Sequence, residues 1–307
     1  LGAIISTKVG NVSITNTNPL AKALDVGAIG SDATEIGTVT MSGSGDVTIG
    51  LIGNATPTAA SVGAINLTST LGKVDGGAVL IDAAAATGIE VNLTAKTTID
   101  SDGSGTPMAI ENTGGNITGS LAGTAAAVVD YLAQTSGVVN LTATNTGGLT
   151  STITNAGTTG DGGTSTINLG NAASGNTNSV TIAGTIDNLV INGGTGADTV
   201  AFGATNDTAS GTIALGTGTN TVDFTEVDTV SSLTDTSTDN GIAINLSAST
   251  VTFNTGTAYV STIASGKATG YDANGDENHA TQTSTKIVGD DFMYSLSGVT
   301  SVVGSDK

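Results

Sequence analysis

The sequence contains no cysteine, no tryptophan and no arginine, and each absence removes a class of site. Without cysteine there are no disulfides and no thiolate metal sites. Without arginine the chain lacks the planar side chain that binds phosphate and carboxylate groups through two parallel hydrogen bonds. The 7 basic residues are all lysine and stand against 26 acidic ones, for a net charge of −19. Neither a nucleic-acid partner nor an anionic membrane surface is expected, because little positive charge is present to neutralise phosphate groups.

The chain is also poor in the side chains that enzymes use. Aromatic residues make up 3% of the sequence and charged residues 11%. His279 is the only histidine, so a zinc site or a Ser-His-Asp triad could use only this one histidine. No run reaches the roughly 18 apolar residues of a membrane helix. We therefore expect neither an enzyme nor membrane insertion.

The sequence is instead rich in glycine, with 45 residues, and in short segments where Val, Ile, Leu or Ala alternates with small polar residues. This alternation is typical of a β-strand buried on one face. Gly, Asn, Asp and Ser separate the segments and favour turns. Representative segments are 46–50, 63–68, 88–94, 137–142, 165–169, 179–183, 188–192, 198–202, 211–215 and 241–246.

Short, similar strands about ten residues apart fit either a solenoid or a sandwich. We predict an all-β protein with a parallel β-helix or β-roll-like solenoid, and stacked β-sandwich domains are the alternative. Scarce aromatics suit narrow coils, and asparagine recurs at strand ends as if one rung position were reused (Asn66, Asn92, Asn140, Asn168 and Asn245). With about 20 residues per coil and about 4.8 Å per rung, the chain would make roughly fifteen turns.

Composition predicts three regions along the chain. Residues 1–227 form the repetitive solenoid, 228–240 are linker-like and rich in Asp, Ser and Thr, and 241–307 form a C-terminal β region. The longest helix candidate is 124–134, whose Val-Val pair fits a strand equally well. Residues 1–9 form an apolar strand that is either the first rung of the coil or a strand that pairs with a neighbouring copy.

One segment matches a known repeat. Residues 193–201, Gly-Gly-Thr-Gly-Ala-Asp-Thr-Val-Ala, fit every position of the nonapeptide G-G-x-G-x-D-x-U-x. Its glycine half makes a tight turn that exposes backbone carbonyls, and Asp198 adds a carboxylate. A second copy at 215–223 keeps Gly216 and Gly218 but has Asn220 at the Asp position. The segment resembles the RTX, or haemolysin-type, calcium-binding repeats of secreted bacterial proteins and surface layers.

The resemblance implies Ca²⁺ between successive coils, with Gly194, Gly196, Asp198 and Asn220 as candidate ligands. A second candidate comes from spacing alone. Asp272, Asn274 and Asp276 have the 1-3-5 oxygen spacing of a calcium loop, and an ordinary solvated acidic loop is the alternative there.

These features predict a non-catalytic, extracellular structural protein of a bacterial cell surface. The expected partner is the chain itself, in a surface layer or filament stabilised by calcium, and a cell-surface glycan is the candidate anchor. One alternative is an adhesin or fibre-type binding module. The second alternative is a β-helix polysaccharide-degrading enzyme with a carboxylate pair drawn from the 26 acids.

Overall fold

The computed structural model shows an all-β protein, and its described part contains no helix. That part therefore has no helix long and apolar enough to cross a membrane. The structure describes residues 1–18, 20–53, 61–81, 88–101, 105–113, 115–133, 137–155, 163–184, 186, 188–203, 210–226, 240–247, 249, 251–254, 260–263, 265–272 and 293–303.

Two sheets of 12 strands run along the molecule and enclose the core. In spatial order, sheet 1 consists of β1 (Val12–Asn16), β4 (Val39–Gly43), β7 (Ala64–Ser69), β10 (Ile89–Ala95), β13 (Ile117–Gly123), β15 (Val139–Ala143), β17 (Thr164–Leu169), β19 (Asn188–Asn192), β21 (Ser210–Ala214), β27 (Met293–Ser297), β26 (Lys267–Asp272) and β23 (Asn240–Asn245). Sheet 2 consists of β2 (Leu24–Ile29), β5 (Val47–Gly53), β8 (Val74–Gly76), β9 (Ala78–Ile81), β11 (Thr98–Asp100), β12 (Met108–Asn112), β14 (Ala126–Ala133), β16 (Leu149–Asn155), β18 (Thr177–Gly184), β20 (Ala197–Phe202), β22 (Thr221–Asp223) and β28 (Ser301–Val303).

The chain passes repeatedly between the two sheets, and apart from β23 and β26 their strands pair in parallel with strands of the neighbouring turns. This is a parallel β-solenoid, which confirms the predicted fold class and excludes the stacked sandwiches. A parallel pair needs a crossover connection, and here the strand of the opposite sheet supplies it. Two short pairs lie outside the main sheets: parallel β3 (Glu35–Ile36) with β6 (Ser61–Val62), and antiparallel β24 (Val251–Asn254) with β25 (Val260–Ile263).

The turns are longer and less regular than the sequence led us to expect. Ile89 pairs with Ile117, and Ile117 pairs with Val139, so the first of these two turns is longer than the second. Ten parallel strands of sheet 1, from β1 to β27 in the sheet order, lie one above the next. At the usual strand spacing this stack is about 45 Å long. The expected fifteen turns were too many because each turn takes more residues and because the described part of 240–272 adds no further parallel level.

Residues of the predicted C-terminal region both extend and cap the stack. β27 and β28 continue the parallel pairing from β21 and β22. β26 then pairs antiparallel with β27, and β23 pairs antiparallel with β26. The linker-like stretch lies outside the described residues except for Asn240.

Inward positions of both sheets carry aliphatic side chains, so the core is a set of columns along the solenoid axis. Val39, Ile65 and Val91 occupy one such column in sheet 1, and each is fully buried. The helix candidate at 124–134 is the strand β14, in which Ala127, Val129, Tyr131 and Ala133 are buried and alternate with less buried residues. That alternation of burial is the strand period rather than the helical one.

The large side chains of the core require small neighbours. Gly119 continues the column of Val91, and Tyr131 crosses from sheet 2 into the space beside it. A Cβ at position 119 would lie 2.8 Å from Cε1 of Tyr131. Further along, Phe202 stacks on Phe224 with ring centroids 5.1 Å apart and meets Tyr294 at 4.8 Å.

The recurrent asparagines fall partly on one rung position. Asn66 and Asn92 are cross-strand partners on the outer face of sheet 1, and Asn168 and Asn192 are partners further along the same column. Asn140 lies in the neighbouring column, opposite Thr166, and Asn245 lies in an antiparallel strand. The expectation of a shared position was therefore right for Asn66, Asn92 and Asn168 and wrong for the other two.

Candidate cation-binding corners and assembly edges

The RTX-like segment forms a turn between β19 and β20 that stacks on the next turn of the solenoid. Gly216 and Gly218 have positive φ angles of 71° and 146°. A Cβ at Gly216 would overlap the carbonyl oxygen of Gly194, and a Cβ at Gly218 would overlap that of Gly196. Close backbone stacking of successive turns therefore requires these glycines, whether or not an ion is bound.

Asp198 lies at the start of β20 and points into the solenoid, fully buried. Its Oδ1 accepts a hydrogen bond from Nδ2 of Asn178 on the preceding turn, at 2.8 Å. Its Oδ2 has no well-formed hydrogen bond. Burial raises the pKa of the Asp198 carboxyl, while the Asn178 amide and the Gly194 backbone amide oppose that rise.

Asn220 occupies the position of Asp198 one turn later, and its side-chain amide forms hydrogen bonds with backbone groups. Its Oδ1 accepts from the Asp198 backbone N–H at 3.0 Å. Its Nδ2 donates to the carbonyl oxygens of Leu215, at 3.0 Å, and Gly298, at 2.8 Å. Asn178, Asp198 and Asn220 thus form a buried polar column that ties three successive turns together.

The structure brings together four of the seven sequence-predicted ligands: Gly194, Gly196, Asp198 and Asn220. Asp272 ends β26, and Asn274 and Asp276 lie outside the described residues. Calcium takes six to eight oxygen ligands. The Asp198 corner supplies one carboxylate, and no three acidic or histidine side chains of the described chain are grouped as a metal would require. The inward direction of Asp198 had a signal in the sequence, because Asp198 has the same strand parity as Val200 and Phe202.

A second polar corner was missed by sequence reasoning. Asp75 and Asp100 are cross-strand partners on β8 and β11, and both are buried. Lys73 forms an ion pair with Asp75, which raises the pKa of the lysine. The pKa of Asp75 is raised by burial, with Asp100 adding to the rise and Lys73 opposing it. Lys73 therefore already supplies a cation to this pair of carboxyl groups.

Exposed large apolar side chains concentrate at the two ends of the described stack. Leu1, Ile5 and Leu20 lie on its first level and are 77%, 61% and 76% exposed. Residues 1–9 run along this level, with bridges from Ile4 to Ile29 and from Val9 to Ile36, so they form the first rung. Val303 lies in β28, the last strand of sheet 2. Within the described chain, β1 and β28 are each paired on one side only, so each presents backbone donors and acceptors to a further strand.

Comparisons with known proteins identify no family: no family model, no curated protein and no solved structure matches the chain.

Proposed function

We propose that this protein is a non-catalytic structural component of a bacterial cell surface, whose solenoids join into a surface layer or filament. The observation that carries the proposal is that buried polar side chains form hydrogen bonds between successive turns. Asn178 and Asn220 hydrogen-bond the neighbouring turns, and Asp198 accepts from Asn178. These groups stiffen a rod of parallel turns, which is a mechanical role.

Assembly would proceed through the sheet edges at the ends of the rod. An unpaired parallel edge accepts a further strand with all of its backbone hydrogen bonds, and exposed leucine and isoleucine side chains beside it add apolar contact. Since the two ends differ, contact between them is head to tail and generates an open filament or a lattice row rather than a closed dimer.

Calcium is part of the proposal because the rods must approach each other against a charge of −19 per chain. Divalent ions between acidic turns would offset that repulsion. A cell-surface glycan is the proposed anchor, and the outside of the cell the proposed location.

The edge contact is tested by the double variant Ile5→Lys with Leu20→Lys, followed by sedimentation velocity. Edge lysines oppose strand pairing between chains, so the variant is expected to remain monomeric where the wild type forms larger species. Leu71→Lys is the matched control, because Leu71 is also exposed but lies away from the ends of the rod. Equal assembly of the double variant and the wild type would contradict the edge contact. Monomers of the wild type in every condition would favour the adhesin alternative.

A further inference from the structure

The outer face of sheet 2 carries an unbroken column of hydroxyl side chains on five successive strands. Thr150, Ser179, Thr199, Thr221 and Ser301 are direct cross-strand neighbours from β16 to β28. Each lies at an outward position of its strand and makes no side-chain hydrogen bond to another described residue. At the spacing of neighbouring strands the column is about 19 Å long.

A second column widens this surface. Thr152 and Thr181 lie two residues beyond Thr150 and Ser179 and are cross-strand partners, about 6.6 Å from the first column. The same row continues through Ala201 to Asp223. The Asp223 carboxylate is held by the backbone N–H and the hydroxyl of Thr225, at 2.9 and 2.6 Å. At the other end of this row, the Asp130 carboxylate accepts from the backbone N–H of Thr152. The second column is therefore flanked by carboxylates, and only the first column is uncharged throughout.

The outer face of sheet 1 is different, because its polar side chains satisfy each other. Nδ2 of Asn92 donates to Oδ1 of Asn66 at 3.0 Å, and Nδ2 of Asn192 donates to Oδ1 of Asn168 at 2.9 Å. Glu90, which is exposed, adds a charge to that face. The hydrogen-bonding capacity of sheet 1 is used within the protein, whereas that of the sheet 2 hydroxyls remains free for a ligand.

The chemistry of the array indicates its ligand. The first column is uncharged on a chain of charge −19, so it is complementary to an uncharged surface rather than to a cationic or anionic one. Sugar lattices are usually met by exposed aromatic rings, but Tyr131, Phe202, Phe224 and Tyr294 are all buried. The ligand that fits is a solid surface whose hydrogen-bond donors and acceptors repeat at nearly the spacing of neighbouring strands. Ice has such a surface. Towards such a surface Thr150, Thr199 and Thr221 would each present a hydroxyl and a methyl group, and Ser179 and Ser301 a hydroxyl alone.

We propose that the hydroxyl face of sheet 2 binds ice. Each hydroxyl contributes a weak contact, but the sheet holds the backbones of all five residues in one column, so little backbone conformational entropy is lost on binding. Binding does not depend on assembly, since the face runs along the side of a single rod.

The test is the thermal hysteresis and ice-crystal shape produced by the full chain, purified as a monomer. Wild-type protein is expected to facet growing crystals and to open a gap between melting and freezing points. Thr199→Tyr places a bulky ring in the middle of the array and is expected to abolish most of that gap. Thr212→Tyr is the matched control on the outer face of sheet 1 and is expected to keep it. Circular dichroism melting of both variants verifies that each is folded.

Three results would overturn the proposal: round, unshaped crystals with the wild-type protein, equal loss of activity in the two folded variants, or retention of activity in folded Thr199→Tyr. Binding to microcrystalline cellulose or chitin, without any effect on ice, would also overturn it and replace ice with a polysaccharide lattice. Ice shaping by a chain that forms no filaments would support this inference while contradicting the proposed assembly, so the two can fail separately.

Discussion

Replacing Asp198 with asparagine tests the account of the buried polar column. Asp198 is fully buried, and its Oδ1 accepts a side-chain hydrogen bond from Asn178. Asparagine has nearly the same shape, keeps the oxygen that accepts from Asn178 and replaces the other carboxylate oxygen with an amide nitrogen. We therefore expect Asp198→Asn to remove a buried charge without opening a cavity.

The expected gain follows from the direction of the pKa shift. Burial raises the Asp198 pKa in the folded protein above its ordinary value of 3.8. Each unit of that difference costs the folded state about 1.4 kcal/mol once the carboxyl is ionised in both states. Asp198→Asn should therefore raise the free energy of unfolding at pH 7, because the gain from removing the buried charge outweighs the loss of the contact with the Gly194 N–H.

The pH dependence of that gain has a definite sign. Below pH 3.8 the carboxyl is neutral in both states, so variant and wild type should be equally stable. As the pH rises through the folded pKa, the wild type loses stability relative to the variant, and the gain reaches a plateau above it. The assay is urea unfolding at a series of pH values, with the exposed Asp32→Asn as a control of equal charge.

A calcium titration tests the alternative role of Asp198 as a calcium ligand. If Asp198 is a calcium ligand, added calcium should stabilise the wild type in proportion to the logarithm of its concentration, and Asp198→Asn should lose that response. Loss of stability in the variant at pH 7 without calcium would refute the reasoning about the buried charge.

Two further substitutions test the core and the second corner. Lys73→Ala leaves Asp75 and Asp100 without their cation, and because Lys73 is partly exposed we expect a loss of about 2–3 kcal/mol in urea unfolding. Adding Asp75→Asn should restore most of the lost stability. A Lys73→Ala variant as stable as the wild type would contradict the role assigned to the ion pair. Gly119→Ala should cost about 1–3 kcal/mol, since its Cβ would press on Tyr131, and Gly119→Ala combined with Tyr131→Leu should lose less than the sum of the two single changes.

The strands could be predicted from the sequence because alternation of apolar and polar residues is a local signal. Segment 63–68 overlaps β7 and segment 88–94 overlaps β10 almost completely. The length of a turn could not be predicted, because it differs from one turn to the next and leaves no fixed period. The division into two sheets depends on that register, so the sequence alone left solenoid and sandwich open.

The candidate sites were harder to predict because they depend on neighbours in space. The nonapeptide located a stacked turn correctly, and the strand parity that Asp198 shares with Val200 indicates its inward direction, but the partners Asn178 and Asn220 come from other turns. Asp75 and Asp100 are far apart in the sequence, and only the pairing of β8 with β11 brings them together. The hydroxyl array has the same origin, since Thr150 and Ser301 belong to one column only once five strands are in register.

Electron microscopy of the purified chain, with calcium and after chelation, tests the proposed structural role most directly. The account predicts ordered filaments or sheets in calcium that dissolve when the ion is removed. Filaments that persist after chelation would keep the structural role and remove calcium from it. Isolated particles in both conditions would contradict assembly of the solenoids.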